Sequence, residues 1–99
     1  MKTFTTLQQR EAIEYALNGG VALHIFPTGF GRKDMPRCFK VGNEIGHLFC
    51  QSEITLKIIG KKIGIRKICI HHRGTRSQHI DLCARPLEKM KIIIERENK

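Results

Sequence analysis

Asn18-Gly19-Gly20 separates two hydrophobic periods that no single element can satisfy, and this break constrains the fold most. Before it, Leu7, Ile13, Ala16 and Leu17 recur at helical spacing, which predicts an amphipathic helix over residues 6–18. Thr6 and Gln9 have the spacing of a capping box, in which each side chain satisfies an orphan donor at the helix start. Glycine then stops the helix, because it accepts the left-handed cap conformation without a Cβ clash. After the break, Val21, Leu23 and Ile25 alternate on one face of a strand that Pro27 ends by removing a backbone donor. His24 falls on the other face and is expected at the surface. A chain carrying both periods needs helices laid on a sheet.

The rest of the chain extends the pattern. Residues 28–36 read as a loop marked by Gly29, Gly31 and Pro36. Strands are expected over 37–41 and 44–50, joined at Gly42-Asn43. Ser52 is a suitable N-cap for a helix to about Ile63, with Leu56, Ile59 and Ile63 aligned, Gly60 inside it and Gly64 ending it. Residues 65–72 alternate as a strand, residues 73–78 form a loop, and His79 to Cys83 form a short strand. Pro86 opens a last helix whose Leu87, Met90, Ile93 and Ile94 face inward, with fraying from Glu95. The expected order is α-β-β-β-α-β-β-α: an α+β domain with three helices packed on a small, mostly antiparallel sheet. A partly parallel arrangement around the 52–64 helix is the alternative.

Ninety-nine residues, 40% hydrophobic and 27% charged, make one small domain spanning residues 1–99. No apolar run approaches the ~20 residues of a membrane span. Lys2 and the polar Gln8-Gln9-Arg10 do not resemble a secretory signal, so a cytoplasmic protein is expected. In that reducing setting Cys38, Cys50, Cys69 and Cys83 are expected as free thiols or metal ligands.

Charge is the most informative feature. Between Ile54 and Ile80 there is no acidic residue, whereas Lys57, Lys61, Lys62, Arg66, Lys67, Arg73 and Arg76 all occur there. This segment carries +7 of the net charge of +9. Lys57 and Lys61 share a helix face without a compensating Glu, and Gly74 spaces two guanidiniums suited to phosphate. Such a surface fits nucleic-acid phosphates or an acidic protein, with salt-dependent affinity. The competing reading is a solvated basic face with no dedicated partner. Base-specific readout has no support, since no RNA-recognition motif or paired-cysteine finger is present.

Two pairs have metal-ligand composition: His47 with Cys50, and His79 with Cys83. On an extended strand His79, Asp81 and Cys83 share a face, whereas His47 and Cys50 point apart unless the chain turns. His71, His72, His79 and Asp81 form a second set, suited to acid–base work or to a divalent metal acting on a phosphodiester. Gly29-Phe30-Gly31-Arg32-Lys33 lacks the ending of a phosphate-cradling loop and fits a flexible, partner-binding finger better.

Residues Leu56 to Met90, through Ile63-Gly64-Ile65 and His79-Ile80-Asp81, resemble an uncharacterised bacterial and phage domain family. In that family a helix ending near Gly-Ile leads into a strand and a His-Tyr-Asp motif follows; here Ile80 stands in the Tyr position. The resemblance covers about a third of the chain and implies no activity.

The sequence therefore favours a non-enzymatic binding module, like the accessory proteins of phages and mobile elements by analogy alone. Its contacts to nucleic acid or a nucleoprotein would be Lys57, Lys61, Lys62, Arg66, Lys67, Arg73 and Arg76, extended by Arg32, Lys33 and Arg37. No cofactor is required, and zinc is the structural metal that the His and Cys pairs would suit. The rivals are a protein inhibitor docking through Phe30 and a metal-dependent phosphodiesterase centred on His79 and Asp81.

Overall fold

The computed structural model describes residues 1–27 and 44–98. Expectations for Phe30, Arg32, Lys33, Arg37 and Cys38, and for the strand at 37–41 and the turn at Gly42-Asn43, lie outside the described residues. The elements are β1 (Lys2–Phe4), a 3-10 turn (Thr6–Gln8), α1 (Gln9–Leu17), β2 (Ala22–Pro27), β3 (Glu44–Phe49), α2 (Glu53–Lys62), β4 (His79–Cys83) and α3 (Ala84–Glu97). They form an α+β fold on one sheet ordered β1-β2-β3-β4. β1 is parallel to β2, and the β2–β3 and β3–β4 pairings are antiparallel. The parallel pair thus flanks α1, while the strands on either side of α2 are antiparallel.

Local chemistry sets the helix ends. The Thr5 backbone N–H donates to Gln8 Oε1 at 2.9 Å, so the capping pair sits one residue earlier than Thr6 and Gln9. Ser52 Oγ accepts from the Thr55 N–H at 3.2 Å, as its N-cap position predicts. Gly19 and Gly64 end α1 and α2 at φ of 94° and 90°, a conformation that a Cβ disfavours. α3 does not fray at Glu95. It continues to Glu97, whose carboxylate holds the Met1 amino group at 2.8 Å.

Strand alternation sends side chains to two different layers. Leu23, Leu48, Ile80 and Leu82 join Leu56 and Ile63 with Leu87, Met90 and Ile94 of α3 in the larger core. On the opposite face Phe4, Ala22 and Phe49 meet Ala12 and Ala16 of α1. Small residues therefore face the sheet from α1, and the two aromatic rings fill the gap. Leu7 lies in the 3-10 turn, whose tighter winding rotates it off the helical stripe and leaves it 95% exposed.

Residues 65–72 differ most from expectation. Instead of a strand they make one bridge, His71 to His79. Ile68 turns toward α2, where a Cβ on Gly60 would come within 2.7 Å of its Cδ1. Packing on that helix replaces regular pairing. Among the described residues, no helix is long and apolar enough to cross a membrane.

The layer assignment predicts opposite outcomes for two leucines. Leu48→Ala, at a position with 0% exposure, is expected to lose about 2–5 kcal/mol in urea melts. Leu7→Ala is expected to change stability by less than about 0.5 kcal/mol.

Candidate metal centre

The register of three strands builds the site. His24 of β2 pairs with His47 of β3, and His47 pairs with Asp81 of β4. One pleat along, Ala22 pairs with Phe49, Phe49 with His79, and His79 with His71. Residues two apart share a face, so both rows project on the α1 side of the sheet. α1 packs on the Phe49 end of this face, and Asp81 is not part of that apolar cluster. All five histidines of the chain are therefore linked by ring contacts, with His72 edge-on to His79 at 5.4 Å.

Asp81 is the focus of this array. Its Oδ1 lies 3.3 Å from His47 Nε2 and 3.2 Å from His79 Nε2, and its Oδ2 lies 3.2 Å from His71 Nε2. Neither N–H is well aligned with Oδ1, so this buried oxygen has ionic neighbours but no true hydrogen bond. The donor atoms of His47, His79 and Asp81 all lie within 4.8 Å of one another.

Hydrogen bonding orients His79. Its Nδ1 is 2.7 Å from the Ser77 carbonyl, which can only accept, so Nδ1 carries the proton. Nε2 is thereby aimed at Asp81, either as an imidazolium N–H or as a free lone pair. Metal-bound histidines show this same outer hydrogen bond. His24 is held differently, with Nε2 donating to the Thr6 carbonyl at 3.2 Å.

The charges follow from this geometry. Burial, together with the neighbouring His79 charge, pushes the His47 imidazole down to about 4. Burial also depresses His79, but the Asp81 carboxylate and the Ser77 carbonyl outweigh it and raise His79 above the ordinary histidine value. For Asp81 burial acts upward, and the surrounding imidazoles, His79 foremost, bring it below the usual carboxylate value. Without a metal, the geometry favours the charged forms of His79 and Asp81 and the neutral form of His47.

Two sequence expectations change, for His24 and Cys83, and Cys50 takes the free-thiol alternative. His24 is 2% exposed rather than at the surface, because α1 and the 3-10 turn cover its end of the second sheet face. Cys50 points to the face opposite Phe49, into the larger core, and is a buried free thiol, away from His47. Cys83 is disulfide-bonded and packs with Ile45, so it offers no thiolate to a metal. The His71, His72, His79 and Asp81 set does assemble, joined by His47. Pairing register alone brings His47 in, and no spacing within one segment encodes it.

All seven bases from Lys57 to Arg76 are exposed. Lys57, Lys61 and Lys62 belong to α2, on the sheet face opposite α1. Arg73 pairs with Glu53 at the start of α2. Arg76 instead lines a cleft with Gln9, Arg10 and Ile13 of α1. The basic stretch thus divides between two layers.

No protein-family model, curated protein or solved structure matches the chain.

The neutral His47 predicts a pH dependence for metal-free protein. Unfolded His47 takes up a proton below the ordinary histidine value of 6.5, whereas the folded residue resists until about 4. The unfolded state therefore binds more protons across that window, and stability falls as pH falls through it. His79, with its raised value, contributes fully below 6.5 and adds no slope there. Urea melts of chelator-treated protein should show this decline, and His47→Gln should flatten it. An equal slope in that variant would assign the decline elsewhere.

Proposed function

We propose that the protein holds a divalent transition metal at His47, His79 and Asp81 and uses it on the phosphodiester backbone of a nucleic acid. One observation carries this reading: imidazoles from β3 and β4 converge on a single carboxylate whose buried Oδ1 lacks an aligned donor. A cation there would satisfy the oxygen and relieve the crowding of His47 and His79. Two imidazoles and one carboxylate suit zinc, manganese, cobalt or ferrous iron better than calcium.

A three-residue set leaves coordination positions open to water or substrate, as catalytic metal sites do. Such a metal would supply a bound water acidified far below bulk water, to about 7, together with polarisation of a phosphoryl oxygen. The chain's own contributions are distinct. Ser77 fixes the His79 tautomer through its carbonyl. His71, half exposed beside Asp81 Oδ2, is placed to exchange protons with a group at the open side. The net charge of +9 favours a polyanionic substrate over a neutral one.

A metal-free nucleic-acid-binding module remains the second reading. It rests on the exposure of the seven bases, of which only Arg73 has a carboxylate partner among the described residues. The inhibitor reading depends on Phe30, outside the described residues.

Calorimetric titration with Zn2+, Mn2+, Co2+ and Fe2+ tests the metal directly. One ion per chain is expected, with affinity reduced at least about tenfold in His79→Ala and Asp81→Asn. Cys50→Ser should bind like the parent protein. Plasmid nicking with the tightest-binding metal should disappear in the same two variants. Failure to bind any of the four ions would end the proposal, as would unchanged affinity in His79→Ala.

A further inference from the structure

Arg10 and Arg76 come from different parts of the chain to line one cleft, and among the described residues neither has a carboxylate partner. With Gln9 and Ile13 they line a cleft of about 410 Å3 between α1 and the turn that precedes β4. Among the described residues neither guanidinium has a carboxylate partner, although Glu11 and Glu14 lie on the same helix as Arg10. Two like charges lining one cleft repel, and an anion between them would reverse that cost. Guanidiniums also match phosphate oxygens in planar, two-pronged fashion.

The turn is built to hold its shape. Thr75 Oγ1 donates to the His72 carbonyl at 2.7 Å, and the Gly74 N–H donates to Gln78 Oε1 at 2.9 Å. Gln51 Nε2 donates to the Thr75 and Arg76 carbonyls, each at 3.2 Å. Gln78 is itself buried and donates through Nε2 to the Cys50 carbonyl at 2.9 Å. Arg76 therefore projects from a fixed backbone, which lowers the ordering cost of gripping a ligand.

The cleft also borders the histidine–aspartate centre. The same turn carries Ser77, whose carbonyl orients His79, and His72, whose ring lies against His79. On the other wall, α1 packs on Phe49, whose ring is 5.3 Å from that of His79. A polyanion gripped at Arg10 and Arg76 would run along the face on which Asp81 lies. The α2 lysines have no such relation to the centre.

We infer that the Arg10–Arg76 cleft is a phosphate subsite that lays a nucleic-acid backbone across the sheet face holding His47, His79 and Asp81. Its anion affinity stands independently; its role as the substrate grip rests on the metal reading above.

Fluorescence anisotropy with a labelled single-stranded and a duplex oligonucleotide, across a salt series, tests it alongside metal titration of each variant. Arg10→Gln with Arg76→Gln should weaken binding at least about tenfold and lower the salt slope by roughly two, one per lost phosphate contact. Metal affinity should not change. Lys57→Gln with Lys61→Gln should weaken binding less than about threefold, because those residues face away from the centre. An equal or larger loss in the lysine pair, or no oligonucleotide binding by the parent protein at low salt, would overturn the inference. Oligonucleotide results as expected in a protein that binds no metal would leave the subsite standing and remove only the metal reading.

Discussion

The antiparallel pairing of β3 with β4, in the register that sets His47 opposite Asp81, is the constraint on which the molecule depends. The same register sends Leu48, Ile80 and Leu82 into the core beneath α3. A slip of one residue would exchange the two faces, placing an aspartate and a histidine in the apolar layer and two large aliphatic side chains outside it. Hydrophobic burial and assembly of the polar centre are thus two outcomes of one pairing. Gly46 serves both, since a Cβ there would come within 2.9 Å of Leu23 and Leu87 side chains.

The polar centre is costly for so small a domain. A half-buried carboxylate with imidazoles on three sides must be compensated, and in the metal-free protein the contact with His79 favours the charged form of both groups. His47 remains neutral, and its Nδ1 is buried without a partner. Unsatisfied polar atoms of this kind are rare in folded interiors and concentrate where a ligand completes them. In the proposed reading cation binding and anion steering are complementary: a bound metal would supply local positive charge, and the arginines beside α1 would supply reach.

Much of the fold was legible because its signals are local. The Ser52 cap, the glycine stops and the alternation of residues 79–83 each lie within a few positions. β1 was not legible, since three residues show no period and its existence depends on pairing with β2. Residues 65–72 do alternate, yet close packing of Ile68 on Gly60 overrides regular pairing. The site divides along the same line. His71, His72, His79 and Asp81 are close in sequence and were identifiable together. His47 and Arg10 are not, because one arrives by strand register and the other by the way α1 lies against the turn. Burial of His24 was missed for a related reason: alternation distinguishes two faces without saying that both are covered.

The most direct test is to follow the histidine ring nitrogens by long-range nitrogen–proton NMR during zinc titration. The account predicts that the His79 Nε2 and a ring nitrogen of His47 shift at one equivalent. His79 Nδ1 should keep its proton to the Ser77 carbonyl, and His24 should not move. Shifts confined to the exposed His71 and His72, or spread alike over all five rings, would contradict it.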